Sequence, residues 1–330
     1  MVSAAISAGT HARYKSAMNK YTKFCTETYG SATPLPPTRP IILMFVAYMH
    51  ENSLQSSTMS GIISGVRRQA LLDDQEDFFV NGEMPYAIAS ALTGAKRLFS
   101  TTKKAAALRE NKRVAATTAV VRRLLAAAPS CMEPNDAIRF RLVTILCFLG
   151  GFRCGEVLAA TPSTFNPLKN LCMADTVPEM AEGEPALAVS IKQNKVDQFA
   201  HGRRIHIVAM PDDADFSILS AWSTWVQLRL HMSLGDAQPL FVNDNGSAFS
   251  YQCFSTLLQR TCVTAGLSAA KITSHSFRKG GATVLAARGQ GDAAILNYGG
   301  WSGGKAFTKY VSPSTSLSFR SQRCIASYPS

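Results

Sequence analysis

Between Thr273 and Thr283 the chain reads TSHSFRKGGAT, with His275 and Arg278 three residues apart. Three residues is close to one helical turn, so the two side chains share a face. Thr273 or Ser274 can cap such a helix, whose positive N-terminal end then lies beside them. An imidazole and a guanidinium placed there can grip an anion such as a phosphate. The same residues would also serve as an ordinary exposed helix start. Three other stretches carry candidates. In GFRCGEVLAA, residues 151–160, Arg153 sits among glycines and Glu156 lies three residues beyond it, the spacing of an ion pair on one helix face. QNKVDQ holds Lys195, with Lys192 three residues earlier as a rival. GGWSGGKAFTKYV, residues 299–311, sets Trp301 nine residues before Tyr310, with glycines that allow local bends. Taken singly, these read as a loop-to-helix junction, a solvated turn lysine and a packed aromatic.

The elements that must position these residues read as mostly helical. Residues 10–29 are amphipathic, with Tyr14, Met18, Tyr21, Phe24 and Cys25 recurring at three- and four-residue steps. After a proline-rich turn over 31–40, helices are expected over 41–52, 57–72 and 85–99. Residues 100–130 hold seven Lys/Arg and one acid. They read as a solvated connector, with the linker near 100–113, or as a basic strap along DNA phosphates. A buried helix over 137–149 precedes Arg153. ALAVSI (186–191) and RIHIV (204–208) alternate well enough for two strands of a hairpin or small sheet, joined by the segment that holds Lys195. Helical patterns resume over 215–231, 251–265, 274–288 and 292–298, and the tail reads as loose, with at most a short helix over 318–326. The expected fold class is mainly α with a small β-sheet, in two domains.

The chain's 330 residues suffice for two domains and a sizeable core. At 46% hydrophobic and 17% charged it is globular rather than disordered. Lys+Arg number 34 against 22 Asp+Glu, a net charge of +12, which favours a polyanionic partner: nucleic acid first, an anionic membrane surface second. No apolar run reaches about 18 residues, so no membrane span is expected. The beginning of the chain lacks the charged, apolar and cleavage regions of a secretory signal. The eight cysteines form no CxxC pair, and the expectation is reduced thiols in an intracellular protein. No zinc-ligand spacing occurs, so no metal and no cofactor are expected.

Each piece is weak alone; their order and spacing are not. The succession Arg153, Lys195, His275-x-x-Arg278, Trp301, Tyr310 resembles the active-site signature of the tyrosine recombinases, the phage integrase and Cre-like family. Arg153 stands for the first arginine, in a G-x-R-x-x-E context, and Lys195 for the hairpin lysine. His275 and Arg278 match the His-x-x-Arg pair. Trp301 takes a position held by His in most members and by Trp in Cre-like ones, and Tyr310 takes that of the nucleophile. The form HSxRxGGAT is similar to recombinases of eukaryotic mobile elements, the DIRS and Crypton types. RYKSAMNKYTKFC and SSTMSGIISGVRRQ look like two helices of the family's core-binding domain.

The resemblance implies a helical core-binding domain over 1–103 and an α+β catalytic domain over 104–330, forming a C-shaped clamp on duplex DNA. It implies that Tyr310 attacks a phosphodiester, leaving a 3′-phosphotyrosine link and a free 5′-hydroxyl. Arg153 and Arg278 would fork onto non-bridging oxygens and stay charged at any working pH. His275 would accept the tyrosine proton or donate to phosphate, and Lys195 would protonate the departing 5′ oxygen. Trp301 can donate one indole N–H but cannot act as a base. Glu156 would orient Arg153 or His275. Partners would be inverted-repeat DNA sites and three further copies of the chain, exchanging strands through a Holliday junction. Arg67, Arg68, Lys103 and Lys104 are candidate phosphate contacts. Location would be nuclear in a eukaryote and cytoplasmic otherwise. Type IB topoisomerases share nearly the same constellation, and a silent DNA-binding relic of a mobile element is a further alternative.

Overall fold

The computed structural model describes residues 8–31, 33–110, 112–192, 202–232 and 234–301. The chain divides into two compact units, Met1–Asn111 and Lys112–Ser330.

The first unit is helical: α1 (Ala8–Tyr29), α2 (Arg39–Glu51), α3 (Ser56–Leu72), α4 (Tyr86–Ser100) and α5 (Lys103–Glu110). Pro40 lies in the first turn of α2 and Pro85 just ahead of α4, where a missing N–H costs nothing. Helix α1 packs on α3, and α2 on α4. Tyr21, Phe24, Phe45, Ile63, Val66 and Ile88 are fully buried between them, and the rings of Tyr21 and Phe45 meet edge to face at 5.2 Å. Helix α5 packs on α4 and occupies most of the stretch read as a linker, and the first unit runs on to Asn111.

The second unit continues with α6 (Thr118–Ala127), α7 (Pro134–Leu149), the single turn α8 (Cys154–Val157), strands β1 (Thr176–Ala181), β2 (Glu184–Ile191) and β3 (Arg203–Val208), then α9 (Ile218–Leu230), α10 (Tyr251–Thr264), α11 (Ser274–Ala287) and α12 (Asp292–Gly299). Helix α7 is its axis. Phe140, Leu142, Val143, Ile145 and Leu146 are fully buried, and α6, α9, α10 and α11 all pack against it or its flanking turn. Buried Arg139 is held by Asp136 at 2.6 Å and by Asp244.

The sheet is antiparallel in the order β1-β2-β3, with Thr176 opposite Val189 and Ile191 opposite Arg203. The central strand β2 buries Ala186 through Val189, whereas β1 buries only Thr176. Strand β1 was not expected. Its sequence, TVPEMA, carries a proline and no regular alternation, which suits an edge strand. The β1–β2 turn uses Glu182 and Gly183, both at positive φ, the conformation of a two-residue hairpin.

Helix α6 corrects part of the basic-strap reading. Val121, Leu124 and Leu125 face the core. Arg122 is bonded to Asp213 at 2.6 Å and to Asp215, with its guanidinium over Phe216. No helix among the described residues is long and apolar enough to cross a membrane. The seven described cysteines form no disulfide.

Candidate active site

Three chain turns build the site. At the first, α7 ends and Gly150–Gly151 redirects the backbone. Gly151 has φ +62°, and a Cβ there would collide with the Tyr298 carbonyl, so only glycine fits. Phe152 is fully buried and anchors the turn, and Arg153 then caps α8. The Glu156 carboxylate accepts the Arg153 backbone N–H at 2.8 Å and its guanidinium at 2.6 Å. One side chain thus closes the orphan end of α8 and fixes the direction of the arginine.

At the second, Thr273 caps α11, where the Ser276 hydroxyl accepts the Thr273 N–H at 3.1 Å. The first turn of α11 has no acidic residue. His275 lies on that turn and is exposed. Arg278, one turn on, is 0% exposed. Its Nη1 donates to the Gly151 carbonyl at 2.7 Å and its Nη2 to the Gly299 carbonyl. Two carbonyls of distant loops therefore aim one guanidinium.

At the third, α12 ends in a left-handed residue. Gly300 adopts φ 55°, ψ 47°; its N–H returns to Asn297 and the Trp301 N–H to Leu296, both at 3.0 Å. This pattern requires glycine at the turn and delivers Trp301 beneath Arg278, whose guanidinium lies 4.6 Å from the ring centroid. Tyr298 ties α12 to α7: its hydroxyl donates to the Phe148 carbonyl at 2.6 Å, and burial pushes its pKa well above the ordinary tyrosine value.

Glu156, 5% exposed, is the charge these turns share. Its second oxygen lies 3.9 Å from Arg278 and 4.0 Å from Arg203. Arg153, Glu156, Arg278 and Trp301 come together. Arg203 joins them and was missed. The sequence did hold a signal: in RRIHIV, Arg203 falls on the same alternate face as Ile205 and Ile207.

Lys195 and Tyr310 lie outside the described residues. Lys192 is bonded to Asp175 at 2.6 Å, the Pro167 carbonyl at 2.7 Å and Cys172 Sγ at 3.4 Å. Burial pulls its pKa down, but Asp175 and Cys172 outweigh this and leave it raised. In the first unit, Arg67 is committed to Asp77 through two hydrogen bonds and lies 4.2 Å over the Phe79 ring. Arg68 is half-buried, Lys103 is exposed, and Lys104 donates to the Ser53 carbonyl at 3.0 Å. Among the described residues no group of three His, Cys, Asp or Glu side chains is placed to hold a metal.

The fold is that of solved DNA recombinases. The XerH site-specific recombinase bound to a palindromic difH substrate, in a post-cleavage complex, superposes with a TM-score of 0.63 at 16% identity, covering 94% of this chain and 76% of that one. A lambda integrase dimer bound to a COC′ core site gives 0.57 at 16% identity, with 93% and 72% covered. The Tn1549 transposon integrase in complex with transposon right-end DNA gives 0.57 at 13%, with 94% and 99% covered. At these identities the likeness is one of fold. Residues 116–316 match the phage integrase family, and the chain belongs to that family, the tyrosine recombinases. No curated protein matches it.

Proposed function

We propose that this chain is a site-specific recombinase that cuts and rejoins duplex DNA through a tyrosine-linked intermediate. The observation that carries the reading is the convergence of Arg153 and Arg278 on Glu156, with Trp301 beneath Arg278. Such a pair of fixed guanidiniums can hold the non-bridging oxygens of a phosphate as charge develops in the transition state.

In this scheme the Tyr310 oxygen bonds to phosphorus and the bond to the 5′ oxygen breaks. The phenolic proton passes to His275, and the 5′ oxygen takes a proton from Lys195. Lys192 is a poor rival as the acid because internal partners hold it. Tyr298 is a poor rival as the nucleophile because its hydroxyl is buried and bonded. The bond energy is kept in the phosphotyrosine, so the 5′-hydroxyl can reverse the step or attack a second duplex. Strand exchange would then run pairwise through a Holliday junction in a tetramer on inverted-repeat sites. The core-binding unit (1–103 as read from sequence) and the catalytic unit would clamp the DNA from two sides. Of the candidate phosphate contacts, Arg67 is already paired with Asp77 and Lys104 with the Ser53 carbonyl, so Arg68 and Lys103 would carry more of the binding.

Covalent trapping tests the reading. Randomised duplexes nicked near the centre are mixed with the protein, denatured in SDS, and the DNA attached to protein is sequenced. Adducts that depend on Tyr310 and share an inverted repeat are expected. Tyr310-dependent adducts without a common motif would move the assignment to a topoisomerase. DNA binding without adducts would leave a silent DNA-binding relic.

A further inference from the structure

Arg203 opens β3, and its side chain shares an inward register with Ile205 and Ile207, the last of which is buried. An arginine on the core face of a strand loses hydration that only an anionic or polar partner can replace. Glu156 is its one carboxylate partner among the described residues, at 4.0 Å, and that carboxylate is already bonded to Arg153 at 2.6 Å. The Arg203 Nε is buried with no hydrogen-bond partner among the described residues. The guanidinium lies 5.8 Å from the Phe152 ring centroid and packs against Gly300, beside Trp301. It is nevertheless accessible: its side chain is 20% exposed, against 19% for Arg153, and it lines two clefts of about 590 Å³ each.

Three guanidiniums therefore surround one carboxylate, a surplus of two positive charges. A phosphodiester carries one negative charge. When the tyrosine oxygen has bonded to phosphorus and the 5′ oxygen has not yet left, the phosphoryl group carries two. A fixed surplus of two complements the transition state better than the ground state, which is the condition for acceleration. Burial lowers the Arg203 pKa, opposed by Glu156 and reinforced by Arg153.

We infer that Arg203 is a third phosphate-binding arginine of this site, donating to a non-bridging oxygen of the scissile phosphate beside Arg153 and Arg278. The inference rests on the recombinase reading above. No proton passes through Arg203; its role is to bind charge.

The test uses the full chain and a duplex recovered by covalent trapping, with either the natural phosphate or a methylphosphonate at the scissile position. The methylphosphonate replaces one charged oxygen by a methyl group. Arg203→Gln should slow single-turnover adduct formation about 100-fold on the phosphate and by less than about tenfold on the methylphosphonate, whose lost charge no longer needs the third cation. Duplex affinity should change less than about threefold, because distant contacts carry most of the binding. Arg203→Lys keeps the charge, preserves the fold if the neutral variant does not, and should be intermediate on the phosphate. A wild-type rate in Arg203→Gln would overturn the assignment. So would an equal loss on both substrates, the signature of a merely structural residue. Absence of adducts in the wild-type protein on every duplex would instead overturn the recombinase reading, and this inference with it.

Discussion

Glu156 holds Arg153 twice, at 2.8 Å through the backbone N–H and at 2.6 Å through the guanidinium, and the oxygen that accepts the backbone N–H also stands 3.9 Å from Arg278. A carboxylate 5% exposed and shared among arginines is the electrostatic hub of the second unit. Glu156→Gln keeps the shape and removes the charge. It should cost about 3 kcal/mol of stability and slow adduct formation at least about tenfold. Urea denaturation and the trapping assay read the two effects; an unchanged urea midpoint would show that the arginines do not depend on this carboxylate.

Arg278→Lys tests fork geometry against charge. A lysine cannot reach the Gly151 and Gly299 carbonyls together, and it loses the guanidinium contact with the Trp301 ring. Adduct formation should fall about 100-fold or more, and Arg153→Lys should behave alike. Rates within about tenfold of wild type for either would mean that charge alone suffices.

Two tyrosines should separate cleanly. Tyr298→Phe strands the Phe148 carbonyl and should cost about 1–3 kcal/mol, yet retain covalent adducts. Tyr310→Phe should keep DNA binding and lose adducts entirely. The opposite pattern on denaturing gels would exchange their roles.

Glycine substitutions should divide by space. A Cβ at Gly280 would collide with the Ala116 carbonyl, so Gly280→Ala should destabilise by about 1–3 kcal/mol, because backbone cannot retreat as a side chain can. Gly94, inside α4, has open space within 4 Å of where an alanine methyl would sit, so Gly94→Ala should stabilise by about 0.5–1 kcal/mol. Thermal melts of the two variants should move in opposite directions.

Acid sensitivity follows from paired carboxylates. Hydrogen bonding to Arg67 holds Asp77 below its usual value, and Arg122 does the same for Asp213. A carboxylate depressed in the folded state contributes fully above its unfolded value, about 4, and the contribution disappears as pH falls through the folded value. Stability should be level above about pH 5 and decline below about pH 4. Arg67→Met should soften that decline; urea midpoints from pH 3 to 7 that show no such difference would mean the pair contributes nothing.

Much of this architecture could be read from the linear order of residues. The helices over 8–29, 39–51, 56–72, 134–149, 251–264 and 274–287 were legible because apolar residues recur on one face; the starts after Ser250 and Thr273 fell where expected, and the other starts moved by one to three residues. The order and spacing of the candidate residues were legible because they are properties of the linear sequence that survive without coordinates. Helix α6 was hidden inside a run of charge, since Arg122 finds its acids more than ninety residues away. Strand β1 was hidden because an edge strand buries one side at most, so its residues need not alternate. Arg203 was hidden for the deepest reason. Its meaning depends on β3, the turn at Gly151–Phe152 and the end of α12 meeting around one carboxylate, and a charge acquires that meaning from what packing brings within a few ångströms of it.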